Sequence, residues 1–119
     1  MPLSKSDLVR TALFSKCANP VESCYYPLLY HKYDGVSKRE NLRYADCGKR
    51  AVLDVYRQEK GSPEKLPLFF YIHGGGWVSG KRSVRKYYCM RWATEGFVAV
   101  NAGYDYSPGT AYPEYLKQV

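Results

Sequence analysis

Two long runs of apolar residues in the second half of the chain predict buried strands. The first is LPLFFYIH, from Leu66 to His73, and the second is FVAVNAGY, from Phe97 to Tyr104. Both are apolar almost without interruption, which is typical of strands that are buried on both faces in a parallel sheet. We therefore expect two neighbouring strands in the interior of an α/β sheet.

The segment between these two runs has the spacing of a helix. Val84, Tyr88 and Trp92 recur every four residues, which predicts one apolar helix stripe. Ser83 can cap the first turn, and the glycine that follows Glu95 is a typical helix stop. Strand, helix and strand in this order predict one right-handed crossover between parallel strands.

Shorter stretches with apolar alternation precede the two runs and predict an antiparallel hairpin. They are LRYAD, at residues 42–46, and RAVLDVYR, at residues 50–57, on either side of a turn at Gly48. The expected fold class is therefore α/β, with this hairpin joined to the parallel crossover. At the end of the chain, residues 107–119 predict a proline-marked loop and the start of a further helix.

Residues 1–38 are predicted to be a lead-in segment outside the sheet. An amphipathic stripe indicates a helix up to about Lys16, and prolines with many tyrosines indicate an irregular loop from Asn19 to Ser37. The expected organisation is thus an N-terminal helix and loop at residues 1–38, followed by an α/β core at residues 39–119.

The composition indicates one globular domain with a basic surface. The 119 residues are 45% hydrophobic and 24% charged, and 18 Lys and Arg against 11 Asp and Glu give a formal charge of +7. Such a charge suits acidic substrates, nucleic acid or an anionic membrane surface, so a noncatalytic module that binds an acidic partner is one open interpretation. No apolar run approaches the ~20 residues of a membrane helix and no signal-peptide pattern is present, so we expect a cytoplasmic protein.

The cysteines are expected to be reduced thiols. Cys17, Cys24, Cys47 and Cys89 include no C-x-x-C pair, and His31 and His73 are the only histidines. This set lacks the ligand spacing of a zinc site, so neither a metal nor another cofactor is expected.

The sequence HGGGW, from His73 to Trp77, places three glycines directly after the first buried run. Ligands of α/β sheets bind at this end of the strands, and glycines let an anion approach main-chain N–H groups. A phosphate-binding P-loop is disfavoured, because GGWVSGKR has Arg82 where that motif needs a Ser or Thr hydroxyl for Mg²⁺. The oxyanion of an acyl-transfer intermediate is the other anion that such a loop can hold.

Four stretches of the chain, in order, resemble the α/β-hydrolase family in its bacterial carboxylesterase, lipase and hormone-sensitive-lipase-like branch. They are LDVYR, YIHGGGWVSGKR, EGFVAVNAGYDYSP and YPEYLKQV, between residues 53 and 119. The resemblance implies hydrolysis of small carboxylic esters, with the N–H groups of Gly75 and Gly76 in the oxyanion hole. By the same resemblance, Gly74 shapes the turn and His73 braces the loop. The resemblance also implies that residues 39–119 are a partial α/β-hydrolase core and that residues 1–38 are a candidate lid. For Trp77, a place in the acyl pocket and a role in loop packing are equally open.

The sequence also departs from this family. No serine has a glycine two residues before it and another two residues after it, as the nucleophile elbow requires, and no histidine follows His73. Asp105 stands where relatives usually carry arginine. We therefore expect the N-terminal part of a larger hydrolase, inactive as this chain alone. A further strand pairs with LFFYI in the family, so this chain is expected to expose an apolar edge and to self-associate through it.

Two features leave the substrate class open. HGGGW also resembles the H-G-G-x-W loop of kynurenine formamidase-like amidohydrolases, so arylformamide cleavage is the alternative reaction. Four cations surround the start of the predicted helix: Lys81, Arg82, Arg85 and Lys86. A solvated face is the plain interpretation of this cluster, and a preference for acidic substrates is the sharper one.

Overall fold

The computed structural model describes residues 33–60 and 64–119, together with eight positions of the N-terminal segment. These positions, all helical and exposed, are Lys5, Ser6, Val9, Arg10, Leu13, Lys16, Pro20 and Cys24. The predicted loop from Asn19 to Ser37 is therefore wrong at Pro20 and Cys24. Proline fixes φ near the helical value and is tolerated in a first helical turn, so its presence does not by itself exclude a helix. The other positions up to residue 32 lie outside the described residues.

The predicted hairpin is present, and its second strand is confirmed at nearly the predicted residues, but its first strand begins earlier in the sequence. β1 is Val36–Arg43 and β2 is Val52–Gln58, and the two are antiparallel. The predicted first strand, LRYAD at residues 42–46, is therefore wrong in its bounds, because it shares only Leu42 and Arg43 with β1. A division of the chain at residues 38 and 39 would also fall inside β1. The strand was missed because all its residues except Val36 are exposed, so it carries no apolar alternation.

The parallel crossover is confirmed. β3 is Leu68–Ile72, β4 is Val98–Ala102, and the two pair in parallel with Phe70 opposite Val100. β4 also pairs with β2 in antiparallel orientation, and the strand order is β1-β2-β4-β3. β3 consequently lies at the edge of the sheet, and Leu68 and Phe70 are 63% and 51% exposed. The prediction that this strand is buried on both faces is wrong for this chain, because only the face that carries Phe69 and Tyr71 packs against the core, and the face that carries Leu68 and Phe70 is exposed.

The crossover helix α1 is shorter than predicted. Residues Arg82–Arg85 form a 3₁₀ turn, and α1 follows as Lys86–Thr94. Ser83 caps neither element, since neither has a side-chain capping hydrogen bond. Gly96 does end the helix, with φ at +89° and its N–H donating to the Ala93 carbonyl.

The hydrophobic core lies between α1 and one face of the sheet. Its buried members are Val36, Tyr56, Cys89, Met90, Ala93 and Ala99. Phe69 stacks on Trp92 with ring centroids 4.6 Å apart, and this contact fixes the helix over β3. The last residues form turns and a short 3₁₀ helix, Leu116–Gln118, where the start of a further helix was predicted.

Candidate functional site

The glycine loop, residues 73–80, follows the carboxyl end of β3, and three of its hydrogen bonds share one acceptor, the Gly75 carbonyl. The Gly75 oxygen accepts hydrogen bonds from the Val78 N–H at 3.2 Å, the Ser79 N–H at 3.1 Å and the Ser79 hydroxyl at 3.1 Å. Among the described residues, no hydrogen bond uses the N–H groups of Gly75 or Gly76. The Gly75 carbonyl therefore has hydrogen-bond partners within the loop, whereas the N–H groups of Gly75 and Gly76 have none among the described residues.

Backbone conformation explains two of the three consecutive glycines. Gly75 has φ at +138° and Gly76 has φ at +60°, values that side chains disfavour. A Cβ on Gly75 would overlap the main chain of Ser79, whereas one on Gly76 would meet nothing within 4 Å. Gly74 has neither a positive φ nor a close neighbour, so its backbone alone does not require glycine.

His73 lies buried beneath the loop among tyrosines. Its ring stacks on Tyr104 at a centroid distance of 4.4 Å and meets Tyr106 edge-on. The Tyr104 hydroxyl donates to the His73 carbonyl at 2.8 Å, and the Tyr106 hydroxyl donates to the Gly80 carbonyl at 3.1 Å. Burial, followed by the nearby Tyr106 and Tyr71, raises the pKa of Tyr104, so its hydroxyl remains a donor at neutral pH. These contacts tie both ends of the loop to the residues that follow β4.

Trp77 is held in an unusual backbone conformation by contacts with the end of the chain. Its φ is +61°, which is rare for a bulky residue. The ring stacks on Tyr115 with centroids 5.2 Å apart, and the carbonyl accepts the Ser107 N–H at 2.9 Å. The side chain is still 37% exposed, so it packs the loop and also presents a surface to solvent.

Asp105 makes local contacts on both sides of its carboxylate. Its carboxylate accepts the Arg50 N–H at 3.0 Å and the Gln118 amide at 3.3 Å. The Gln118 side-chain oxygen in turn accepts the Asp105 N–H at 2.8 Å. Asp105 thus joins the β1–β2 connection to the last turn of the described chain.

A buried ion pair that no sequence pattern predicted lies directly after the glycine loop. Arg82 Nε lies 2.7 Å from Asp54 Oδ2, with side chains 17% and 5% exposed. Asp54 also accepts the Asn41 N–H at 2.9 Å, and the Asn101 amide donates to the Arg82 carbonyl at 2.9 Å. The one available signal was Asp54 itself, a charge that interrupts the apolar strand VLDVY.

The four cations around the start of the helix have different surroundings. Arg82 is engaged by Asp54, and Lys86 lies over the Tyr87 ring at 4.9 Å. Lys81 and Arg82 instead line a cavity together with Lys49 and Arg50 from the β1–β2 connection. The interpretation of this cluster as a uniformly solvated face is therefore wrong for Arg82.

The family model BD-FAE matches residues 53–119, which is more than half of the chain and includes the glycine loop. The chain belongs to the BD-FAE family. Esterase LipC of Mycobacterium tuberculosis is 28% identical over 82 residues, and probable carboxylesterase 11 of Arabidopsis thaliana is 38% identical over 68 residues. These matches cover 68% and 50% of this chain but only 20% and 15% of the two relatives.

Solved esterase structures share the fold of this BD-FAE chain. Esterase B from Lactobacillus rhamnosis superposes with a TM-score of 0.81 at 20% identity, over 98% of this chain and 38% of its own. A thermostable esterase from Pseudomonas putida superposes with a TM-score of 0.66 at 27% identity, over 87% of this chain and 32% of its own. The described residues are thus an esterase-like α/β-hydrolase fragment, about a third of the length of these structures.

The described residues contain neither a candidate membrane span nor a cluster of metal ligands. No helix among them has the length and apolar character needed to cross a membrane. In the same part of the chain, no three His, Cys, Asp or Glu side chains come together as metal ligands would. Its three described cysteines, Cys24, Cys47 and Cys89, are free thiols.

Proposed function

We propose that this chain is the N-terminal part of a carboxylic-ester hydrolase and that its glycine loop forms the oxyanion hole. The observation that supports this most is the pair of unused N–H donors at Gly75 and Gly76, at the carboxyl end of β3. His73 braces the loop from below, and Gly74 begins the turn. Trp77 both packs the loop and offers its exposed part to the acyl group of the substrate.

The proposed loop acts when the substrate carbonyl becomes tetrahedral. Negative charge then develops on the carbonyl oxygen, and N–H groups that are already oriented stabilise this charge with little reorganisation. Loss of one such donor typically costs about 2.7–4 kcal/mol of transition-state stabilisation. In this chain the Gly75 carbonyl accepts three hydrogen bonds, which would keep the Gly76 N–H of the same planar peptide unit in position.

The same proposal implies that the 119-residue chain has no turnover of its own. Acyl transfer also needs a serine nucleophile and a histidine base, and the sequence contains neither a G-x-S-x-G elbow nor a histidine after His73. The missing groups would come from a further part of the protein, as the length of the relatives suggests.

We also propose that the isolated chain self-associates through β3. Among the described strands, β3 pairs only with β4, so its outer edge carries main-chain groups without a strand partner. Leu68, Phe70 and Ile72 are exposed on the same strand. An exposed apolar edge of this kind is a template for pairing with a second copy.

The test of the proposed reaction is a chimera with esterase B. Residues 33–119 of this chain replace the superposed segment, and the host supplies the rest of its catalytic site. We expect the chimera to hydrolyse p-nitrophenyl acetate and the 119-residue chain to show no turnover. An N-formyl arylamine in a parallel assay tests amide cleavage. A folded chimera, judged by circular dichroism and gel filtration, that prefers the arylformamide or cleaves neither substrate would overturn the assignment.

A further inference from the structure

A cavity of about 210 Å³ lies beside the glycine loop, at the end of β2 and β4. Val52, the first residue of β2, and Gly103, directly after β4, form its floor. Because β2 and β4 are antiparallel, these residues lie at the same end of the sheet. This is the carboxyl end of β4, where α/β sheets bind their ligands.

The walls of this cavity are strongly basic. Lys49 and Arg50 come from the β1–β2 connection, whereas Lys81 and Arg82 follow the glycine loop. No Asp or Glu is among the described residues that line the cavity. Two elements that are distant in sequence thus bring four cations to one concave surface.

Nearby carboxylates offset only part of this charge. Asp54 pairs with Arg82 through Nε, whereas a different nitrogen of the same guanidinium, Nη1, lies 3.8 Å from the position that a Cβ on Gly103 would take. The Asp105 carboxylate accepts a hydrogen bond from the main-chain N–H of Arg50, while the Arg50 guanidinium lies over the Tyr106 ring at 4.4 Å. Lys49 and Lys81 are both exposed at the rim of the cavity.

We propose that this cavity binds the phosphate group of a small molecule. A doubly charged tetrahedral anion matches the local excess of positive charge, and lysine and arginine are the side chains that proteins use for this group. The cavity volume exceeds that of one phosphate ion, so an organic substituent on the phosphate also fits. A monocarboxylate carries half the charge and binds more weakly.

This site goes beyond the proposed ester hydrolysis and does not depend on it. The proposed oxyanion hole uses the N–H groups of Gly75 and Gly76, neither of which lines the cavity, whereas the phosphate site uses lysine and arginine side chains. Gly80 and His73 line the cavity, so a phosphate bound there would contact the base of the glycine loop. Binding can therefore be measured in the chain as it is, without any catalytic activity.

The experiment is a titration of the ¹⁵N-glycine-labelled 119-residue chain followed by NMR. The labelled positions include Gly80 and Gly103 at the cavity, Gly75 and Gly76 at the loop, and Gly35 far along the sequence. Inorganic phosphate, phenyl phosphate and acetate are added separately at low ionic strength, where electrostatic binding is strongest. We expect phosphate and phenyl phosphate to shift the Gly80 and Gly103 signals in a saturable way, with acetate binding at least about tenfold more weakly.

A matched pair of double variants tests the assignment to these side chains. Replacing both rim lysines, Lys49→Gln with Lys81→Gln, should weaken phosphate binding by about tenfold or more. The control, Lys38→Gln with Lys60→Gln, removes the same charge from exposed positions outside the cavity and should change binding by less than about twofold. Equal weakening in both variants, or phosphate-induced shifts at Gly75 and Gly76 but not at Gly80 and Gly103, would overturn the proposal. So would an absence of saturable shifts with either phosphate compound.

Discussion

The three consecutive glycines of the loop provide one chemical change in three structural settings. Substitution by alanine at each position adds the same Cβ, but Gly74 has an ordinary φ and open space, Gly76 has φ at +60° and open space, and Gly75 has φ at +138° and a collision with Ser79. We predict that the free energy of unfolding falls in the order Gly74→Ala, wild type, Gly76→Ala and Gly75→Ala.

The expected magnitudes follow from these settings. Gly74→Ala should stabilise by about 0.4–1 kcal/mol, because alanine restricts the unfolded chain and the native backbone accepts it. Gly76→Ala should cost about 1–2 kcal/mol for a left-handed alanine. Gly75→Ala adds about 1–3 kcal/mol of backbone strain to the collision with Ser79. That collision weakens the hydrogen bonds to the Gly75 carbonyl, each worth about 0.5–1.5 kcal/mol, so a total loss of about 2–5 kcal/mol is expected.

Urea unfolding followed by tryptophan fluorescence measures this order directly. Trp77 lies next to Gly76 and reports on the loop, and circular dichroism reports on the whole fold in the same titration. The reasoning would be refuted if Gly75→Ala were no more costly than Gly76→Ala, or if Gly74→Ala were the most destabilising of the three. Either result would mean that the loop does not have the backbone conformation described above.

Three further predictions concern the core, the ion pairs and the sheet edge. Arg82→Met should lower the free energy of unfolding by about 3–5 kcal/mol, because it leaves the Asp54 carboxylate buried without its cation. Arg91→Met breaks an exposed pair with Glu95, whose side chains are 59% and 50% exposed, and should cost less than about 1 kcal/mol. Urea unfolding measures both. Burial raises the pKa of the Cys89 thiol to about 12, so its contribution to stability is complete below the unfolded pKa of about 8.5 and is lost as pH rises toward 12. Unfolding measured against pH should therefore show a steeper alkaline loss in wild type than in Cys89→Ala, and parallel curves would contradict it. Phe70→Lys should reduce self-association in sedimentation velocity, while the control Leu42→Lys on β1 should not; equal effects would argue against the β3 edge.

The elements that bury apolar residues were predictable, and those held by polar contacts were not. β4, the crossover and the end of α1 follow from apolar runs and a helix-stopping glycine. β1 exposes all but one of its residues, so no hydrophobic pattern marks it, and only pairing with β2 establishes it. The exposed face of β3 was not predictable either. An apolar run indicates that a strand tends to be buried, but it does not show whether another part of the chain covers that strand.

The candidate site likewise has one part that the sequence predicted and another part that it did not. The HGGGW sequence and its place after a strand were sufficient to predict a turn of glycines at a ligand-binding edge. The positive φ of Trp77 was not predictable, because it depends on contacts with Ser107 and Tyr115 about thirty residues later in the chain. The basic cavity was also missed, since Lys49 meets Lys81 only through the folding of the β1–β2 connection toward the loop.

The most direct test of the central claim is a crystal structure of the esterase B chimera carrying a covalent phosphonate. Esterase B itself has been crystallised with a tributyrin phosphonate inhibitor, so the same reagent suits the chimera. The phosphonyl oxygen occupies the place of the oxyanion in the tetrahedral intermediate. We predict that this oxygen lies about 2.7–3.1 Å from the main-chain nitrogens of Gly75 and Gly76. An adduct whose oxygen points away from both nitrogens, or is held only by donors from the host, would contradict the account.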